Sequence, residues 1–387
     1  MKKTNLLIIH GGAPTAVLNA SLYGAVQEAK HHAEIEYIYG AQGGSMAAAK
    51  GRFIDLGAVQ QRELQLLMHS PSSAIGTSRD HLEPEDYNAI AQGLKTHGIG
   101  IVCFNGGNGS MDACGKVYEA CRRLGVDVRV VGIPKTMDND IAVTDHAPGY
   151  GSAARYMAGS VAEVCCDVRG LPIHVAVGEA MGRSAGWVAA ASALATECGT
   201  GGPDLIYMPE RVFSQTQFLK DVQRLIAQKG CGVVVASEGL CDERGEPIVK
   251  PVMAVGRATY FGDVSAYLSS LIVEKLGYKA RSEKPGILGR ASIAWQSETD
   301  RIEAELAGRE AVKAACEGAT GVMVGFERSE SSTYKVKPVL IPIEQVMLTE
   351  KRMPDAFINE AGNGVTQSFR EWCRPLVGDL PRFVSFQ

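Results

Sequence analysis

Residues 134–140 of the chain are PKTMDND, and they follow the apolar run VRVVGI at residues 128–133. The run is rich in β-branched residues and of strand length, and a proline ends it, so it predicts a buried parallel strand. The seven residues after it therefore lie at the carboxyl end of a strand, where open α/β sheets bind their ligands.

This stretch carries the groups that phosphoryl transfer to a hydroxyl requires. Lys135 and Thr136 precede two aspartates, Asp138 and Asp140. One carboxylate can take the hydroxyl proton, a second can orient a group or bind a metal, and a cation can meet the phosphate charge. A solvated turn is the alternative, because Asp and Asn are common in turns. The neighbouring motifs distinguish the two interpretations.

The length and composition indicate a globular enzyme. A chain of 387 residues with 45% hydrophobic residues and 44 glycines predicts two domains, or one large α/β unit with many tight strand-to-helix turns. The net charge of −4 gives no reason to expect nucleic acid or an anionic membrane as partner. No apolar run approaches a membrane-spanning length.

The ten cysteines predict reduced thiols in a cytoplasmic protein. None of them forms a C-x-x-C pair, which argues against a zinc site. The apolar part of the N-terminus has only four residues, too few for a signal peptide. Most of the cysteines are therefore expected to be small buried side chains.

Two glycine turns join predicted strands to predicted helices. Residues 11–15 lie between a strand and a helix over 17–30, and residues 105–110, NGGNGS, open a helix from about 111 to 124. Helix starts of this kind present amide groups to phosphate. The second turn is not a Walker loop, because Val117 stands where Ser or Thr belongs. The stretch 76–79, GTSR, adds an arginine that can grip a phosphate.

Later strand ends suit a sugar phosphate. The strand over 173–177 leads into Met181-Gly182-Arg183, and the strand over 232–236 leads into Ser237-Glu238-Gly239. The basic stretch 279–290 can reach anions or form a charged surface loop. The remainder after residue 330 is expected to be peripheral helices and tail.

Together these motifs resemble the phosphofructokinase family. They occur in that family's order over roughly residues 5 to 330, and the Thr-x-Asp-x-Asp and Met-Gly-Arg pair is highly specific. The chain is most similar to the branch that contains pyrophosphate-dependent enzymes. The resemblance implies Mg²⁺-dependent phosphoryl transfer from pyrophosphate to the 1-hydroxyl of fructose 6-phosphate, a reaction of glycolysis that gives fructose 1,6-bisphosphate.

The resemblance also implies a role for each matched residue. Asp138 matches the catalytic base, and Asp140 and Thr136 match residues that hold the attacking end of the sugar and the transferred group. The implied donor site, with Mg²⁺ bridging the phosphates near Asn108, comprises Gly12, Arg79, Gly107, Asn108, Gly109, Ser110 and Lys135.

On the sugar side, Met181, Gly182, Arg183 and Glu238 match the fructose 6-phosphate pocket. Arg281 lies as far before Arg290 as the family arginine that reaches the sugar phosphate from a neighbouring subunit. The resemblance therefore implies a homodimer or homotetramer with a shared active site.

Departures from the family pattern leave the donor open. Pyrophosphate users usually have an aspartate at the position of Gly109 and a lysine at that of Lys135, whereas bacterial ATP enzymes usually have glycine at both. Lysine favours pyrophosphate because it offsets charge on a small donor without a nucleoside, and glycine leaves room for ATP. Asn108 replaces a metal-linked aspartate.

On the sugar side, Ile287 stands where the family has a histidine, and His174 stands where it has a pocket arginine. The residue before Arg290 is Gly289, where the family usually has a glutamine. A related substrate such as sedoheptulose 7-phosphate is therefore an alternative, and so is a non-catalytic sensor of sugar phosphate or nucleotide.

The expected fold is α/β, with two Rossmann-like three-layer domains, mostly parallel sheets and the active site in the inter-domain cleft. The donor domain is expected to comprise residues 1–149 and 289–334. The sugar domain is expected to comprise residues 150–288 and 335–387.

Overall fold

The computed structural model of the chain describes residues 3–171, 173–255, 258–329 and 333–384. Strands and helices alternate through most of it. The strands are β1 (Thr4–Gly11), β2 (Ile35–Ala41), β3 (Phe53–Asp55), β4 (Ile99–Gly106), β5 (Arg129–Pro134), β6 (Val175–Ala180), β7 (Leu205–Tyr207), β8 (Gly232–Ser237), β9 (Pro251–Val255), β10 (Ala258–Phe261), β11 (Ala280–Glu283), β12 (Val322–Arg328) and β13 (Val336–Pro342).

The helices of the described residues include both long amphipathic elements and single turns. The α-helices are α1 (Leu18–Ala29), α2 (Met46–Lys50), α3 (Gln61–Leu66), α4 (Pro84–Thr96), α5 (Asn108–Arg123), α6 (Tyr150–Gly170), α7 (Trp187–Ala191), α8 (Gln215–Lys229), α9 (Val264–Leu276), α10 (Leu288–Ala291), α11 (Glu298–Cys316) and α12 (Gln367–Val377). Short 3₁₀ helices cover Leu67–His69, Ser192–Cys198, Ile343–Gln345 and Asp355–Phe357. No helix among the residues described is long and apolar enough to cross a membrane.

The chain forms two compact units. The first comprises Met1–Ser152 and Ala291–Lys351, and the second comprises Ala153–Arg290 and Arg352–Gln387. The return segment of the first unit extends to Lys351, beyond the expected residue 334, because β13 pairs antiparallel with β12. Residues 335–351 therefore belong to the first unit and not to the second.

The first unit is built on a seven-stranded sheet in the order β13-β12-β5-β4-β1-β2-β3. The five inner strands are parallel, and the antiparallel strands β13 and β3 form the two edges. Apolar side chains from both faces of the sheet are fully buried, Leu7 and Phe104 toward one core and Leu6 and Ile8 toward the other. Burial on both faces is the reason that the central strands are continuously apolar.

Helices α1 and α11 of the first unit approach closely because both carry a glycine at the contact. A Cβ added at Gly24 would lie 2.0 Å from the carbonyl oxygen of Glu305, and one added at Gly308 would lie 2.0 Å from that of Ser21. Only glycine permits this separation. The contact packs the return segment directly against the first helix of the chain.

The second unit is built on a four-stranded parallel sheet in the order β11-β6-β8-β7, with a separate antiparallel pair, β9 and β10. Its core packs Val177, Val234 and Phe218 with apolar residues of α9. The expected α/β fold with mostly parallel sheets is confirmed.

Candidate active site

Three strand ends of the first unit meet in register. Gly11 at the end of β1 pairs with Gly106 at the end of β4, and Gly106 pairs with Pro134 at the end of β5. The two glycine turns and the stretch 135–140 leave the sheet from these three neighbouring positions. The structure therefore brings the predicted donor residues that follow the strands to one edge of the sheet.

The glycines at the strand ends make room for Ser110. A Cβ at Gly11 would lie 2.2 Å from the Ser110 Oγ, and a Cβ at Gly106 would lie 2.1 Å from it. The hydroxyl of Ser110 therefore packs between the two turns, where any larger residue than glycine would displace it. The sequence placed Gly11 in the first glycine turn but did not predict its contact with Ser110.

Lys135 reaches the first glycine turn. The residue is 3% exposed, and its Nζ donates a hydrogen bond of 2.5 Å to the carbonyl oxygen of Ala13. The Nζ would lie 3.6 Å from a Cβ placed at Gly12. Burial, together with the charge of Lys135, lowers the pKa of His10 to about 3. The side of the first turn that faces Lys135 is thus electropositive, which suits a phosphate.

The stretch 76–79 runs beside the same turn. The amide of Gly12 donates to the Ser78 carbonyl at 2.9 Å, and the Thr77 hydroxyl donates to the Gly12 carbonyl at 2.8 Å. Arg79 follows directly and is exposed. The structure therefore places this predicted anion-binding arginine next to the first glycine turn.

Asp140 is held from two sides. Its Oδ1 accepts a hydrogen bond of 2.7 Å from the Thr136 hydroxyl, and its Oδ2 accepts one of 2.9 Å from the Asn108 Nδ2. The Thr136 Oγ1 also accepts from the amide of Asp138 at 3.0 Å. Asp138 is half-buried, two residues before this fixed carboxylate. The arrangement gives the Asp140 carboxylate a fixed orientation and ties the backbone of Asp138 to the same threonine.

Asn108 offers one oxygen to a metal. Its Oδ1 is buried without a hydrogen-bond partner among the described residues. Mg²⁺ prefers oxygen ligands and takes few of them from the protein when phosphates supply the others. The Asn108 amide oxygen fits that requirement, and a bound Mg²⁺ would neutralise phosphate charge.

In the second unit, the ends of β6 and β8 bring the predicted sugar residues together. Ala180 pairs with Ser237, and the Ser237 hydroxyl donates to the Gly182 carbonyl at 2.6 Å. The amide of Gly182 donates to Glu238 Oε1 at 3.3 Å. Arg183 is exposed, and its guanidinium lies 5.2 Å from the centre of the Phe261 ring. Met181, Gly182, Arg183 and Glu238 thus form one group.

Two predicted sugar residues lie toward the other end of these strands. His174 precedes β6, and its Nδ1 accepts from the amide of Lys279 at 3.1 Å. Arg281 pairs with Ala176 near the start of β6 and is exposed on the edge strand β11. A six-residue strand is about 20 Å long. His174 and Arg281 are therefore near each other, and Arg183 is at the opposite end of β6.

Arg290 is half-buried in α10, and Ile287 before it is 66% exposed. The role of Arg290 toward the sugar phosphate, like those of His174 and Arg281, stays a prediction.

Comparisons with known proteins agree with this geometry. A family model described as Phosphofructokinase matches residues 5–315. The chain is 35% identical to the pyrophosphate--fructose 6-phosphate 1-phosphotransferase of Xanthomonas campestris pv. campestris, with 100% of this chain and 97% of that protein covered. It is 33% identical to the sulfofructose kinase of Alkalicoccus urumqiensis, with 96% of this chain and 94% of that protein covered.

A solved structure gives the same result. The pyrophosphate-dependent phosphofructokinase of Nitrosospira multiformis superposes with a TM-score of 0.88 at 33% identity, covering 100% of this chain and 95% of that one. The fold, the two glycine turns and the stretch 134–140 with its two aspartates are those of a phosphotransferase. The chain belongs to the phosphofructokinase family, whose enzymes generally depend on a divalent metal, and the resemblance noted from its motifs is confirmed.

Proposed function

We propose that the protein transfers a phosphoryl group from pyrophosphate to the 1-hydroxyl of fructose 6-phosphate, giving fructose 1,6-bisphosphate and phosphate, as a step of glycolysis. The observation that carries the choice of donor is Lys135, a buried cation whose Nζ reaches the Gly12 turn. Pyrophosphate has no nucleoside to anchor it, so its affinity depends on such cations. Relatives of similar length carry the name of this activity.

In the proposed reaction Asp138 takes the proton of the sugar 1-hydroxyl. The bond from that oxygen to the terminal phosphorus forms as the bridging P–O bond of pyrophosphate breaks, and phosphate leaves. Asp140, fixed by Thr136 and Asn108, orients the reacting end of the sugar. General-base catalysis of this kind contributes about 10²- to 10⁴-fold to the rate.

Lys135, Arg79 and the start of α5 receive the donor. The 16-residue helix α5 begins at Asn108 with glycine at its N-cap, and a helix N-terminus favours anions through its unpaired amides and dipole. Lys135 adds a full positive charge at the neighbouring turn. Mg²⁺, held partly by the Asn108 oxygen, would neutralise the remaining phosphate charge.

The sugar is proposed to bind the Met181–Glu238 group. Glu238 accepts from the Gly182 amide through one oxygen, and a carboxylate with a second oxygen can accept from sugar hydroxyls. Arg281, exposed on the edge strand β11, is proposed to serve a neighbouring subunit of a homodimer or homotetramer. Size-exclusion chromatography with light scattering tests the oligomer, and a monomer with full activity would refute the shared site.

A second acceptor is favoured by one comparison. A relative 33% identical over nearly the whole chain is named a sulfofructose kinase, and the chain has His174 and Ile287 where the resemblance predicted an arginine and a histidine. Sulfofructose is therefore a candidate acceptor in place of fructose 6-phosphate. Both candidates keep the same reacting end.

The test is an initial-rate assay of the purified protein with two donors and two acceptors. Pyrophosphate and ATP are each combined with fructose 6-phosphate and with sulfofructose, with Mg²⁺ present. The proposal predicts the highest kcat/KM for pyrophosphate with fructose 6-phosphate. A higher kcat/KM with ATP would overturn the donor, and a higher value with sulfofructose would overturn the acceptor.

A further inference from the structure

Lys351, which lies far along the chain from the sequence motifs, contacts the residues that follow Asp138. The Nζ of Lys351 donates to the Asn139 Oδ1 at 3.3 Å and to the carbonyl oxygens of Thr144 at 3.0 Å and Asp145 at 2.8 Å. Its backbone amide donates to the carbonyl oxygen of Asp140 at 2.8 Å. One residue thus contacts both ends of the segment 139–145, which we call the aspartate loop.

The aspartate loop has an unusual backbone conformation and is fixed by several contacts. Asn139 lies between Asp138 and Asp140 with a φ of +51°, a left-handed conformation that few residues other than glycine adopt and that asparagine tolerates better than most. Its side-chain oxygen also accepts from the amide of Ala147 at 3.2 Å. Ile141 pairs with Glu350 in an isolated antiparallel bridge. Residues 350–351 therefore run along the loop and fix it through backbone and side chain.

We propose that Lys351 is a positioning residue that holds the aspartate loop in the conformation that presents Asp138 to the acceptor hydroxyl. The inference rests on the role of Asp138 in the proposed function. A protonated amine offers three donors from one atom, which matches one amide oxygen and two carbonyl oxygens. Methionine has similar length and none of these donors, so Lys351→Met removes the side-chain contacts with little change in volume and leaves the backbone hydrogen bond to Asp140 in place.

The pH dependence of the contacts follows from the groups around the amine. Removal from water lowers the pKa of Lys351 from 10.5 to about 8, although the charges of Asp145 and Asp140 oppose this shift. Asp145 is itself paired with His146 at 2.8 Å and with Arg328 at 3.1 Å, which reduces its effect on the amine. Above pH 8 the neutral amine has one donor fewer, and the loop loses a contact.

The experiment compares Lys351→Met and Lys351→Arg with Lys337→Met, a control at an exposed lysine of β13. We expect Lys351→Met to lower kcat by about 10- to 100-fold, because a misplacement of about 1 Å costs up to that factor. The KM values for pyrophosphate and fructose 6-phosphate are expected to change less than threefold. Lys351→Arg restores part of kcat, and Lys337→Met matches the wild type.

The pH profile separates positioning from general destabilisation. The wild-type kcat is expected to fall above pH 8, and the fall should move to higher pH in Lys351→Arg because arginine stays charged. If Lys351→Met does not fold, this shift decides the question alone. An alkaline fall at the same pH in Lys351→Arg, or a wild-type kcat in folded Lys351→Met, would overturn the inference.

Hydrogen exchange distinguishes this inference from the proposed function. The amides of residues 139–147 should exchange at least tenfold faster in Lys351→Met than in wild type, and above pH 8 they should exchange faster in wild type than in Lys351→Arg at the same pH, whatever the substrate of the enzyme. A wild type without pyrophosphate-dependent turnover would refute the proposed function, and the exchange rates would still decide whether Lys351 holds the loop. Unchanged exchange would refute the holding role.

Discussion

The side-chain amide of Asn108 donates to the carboxylate of Asp140 at 2.9 Å, and to the Asp140 backbone carbonyl at 3.1 Å. This contact gives a physical reason for the residue at position 108. Asparagine can donate to the carboxylate, whereas the aspartate expected from the family pattern would place a second negative charge against it. The asparagine at position 108 thus fixes Asp140 through two hydrogen bonds that an aspartate could not donate.

Asn108→Asp is expected to lower the free energy of unfolding by about 1–3 kcal/mol in metal-free buffer, because a hydrogen bond is replaced by repulsion between carboxylates. Saturating Mg²⁺ should restore part of this loss. Urea unfolding with and without Mg²⁺ measures both effects. Asn88→Asp is the matched control. The Asn88 Oδ1 accepts a hydrogen bond from Arg123, so the new carboxylate faces a positive charge and should not lower the stability. Equal stability of Asn108→Asp and wild type in metal-free buffer would contradict the account.

Gly109→Asp is expected to discriminate between donors. A Cβ at Gly109 meets nothing within 4 Å, so the backbone accepts a side chain, and an acidic residue in the first turn of α5 is favourable by about 0.3–1 kcal/mol. If this space is where a nucleoside binds, as the resemblance to the family implies, the aspartate fills it. Any turnover with ATP should therefore fall at least tenfold more than turnover with pyrophosphate.

The control for this prediction is Gly109→Ala, which changes the backbone preference without adding charge or length. Initial rates with both donors give the ratio. An equal fall in both rates for Gly109→Asp would show that the space beside Gly109 does not select the donor.

His10 should make stability depend on acid pH. Its pKa is lowered from 6.5 to about 3, so the unfolded chain binds a proton at this residue below pH 6.5 while the folded chain does not. The contribution of His10 is complete above pH 6.5 and is lost as the pH falls toward 3.

The test compares the free energies of unfolding of wild type and His10→Gln. The wild-type value minus the His10→Gln value should decrease as the pH is lowered from 7 to 4. His31→Gln, at an exposed histidine, is the control for removal of a histidine from the surface. A constant difference for His10→Gln over that range would mean that His10 is not held neutral.

Much of the fold and the site was predictable because both depend on local patterns. Apolar runs that end in glycine or proline gave the parallel strands, and the strand ends determined where Gly12, Asn108 and Lys135 lie. Strands β3 and β13 were not predicted, because a short antiparallel edge strand has a weaker pattern than a buried parallel one.

The contacts that the sequence did not predict join residues that lie far apart in the chain. Lys351 contacts Asn139 across 212 residues, in a part of the chain whose motifs indicated no chemistry. Gly11 is required because Ser110 packs against it from another turn. Such pairings depend on the three-dimensional arrangement of the elements, so a single sequence without contacts does not reveal them.

The most direct test of the central claim is the rate at which Asp138→Asn forms fructose 1,6-bisphosphate from pyrophosphate, with Asp127→Asn as the exposed control. The account predicts a kcat at least about 100-fold below wild type, with the dissociation constants of both substrates changed less than threefold by calorimetry. A kcat within threefold of wild type would contradict the assignment of Asp138 as the base.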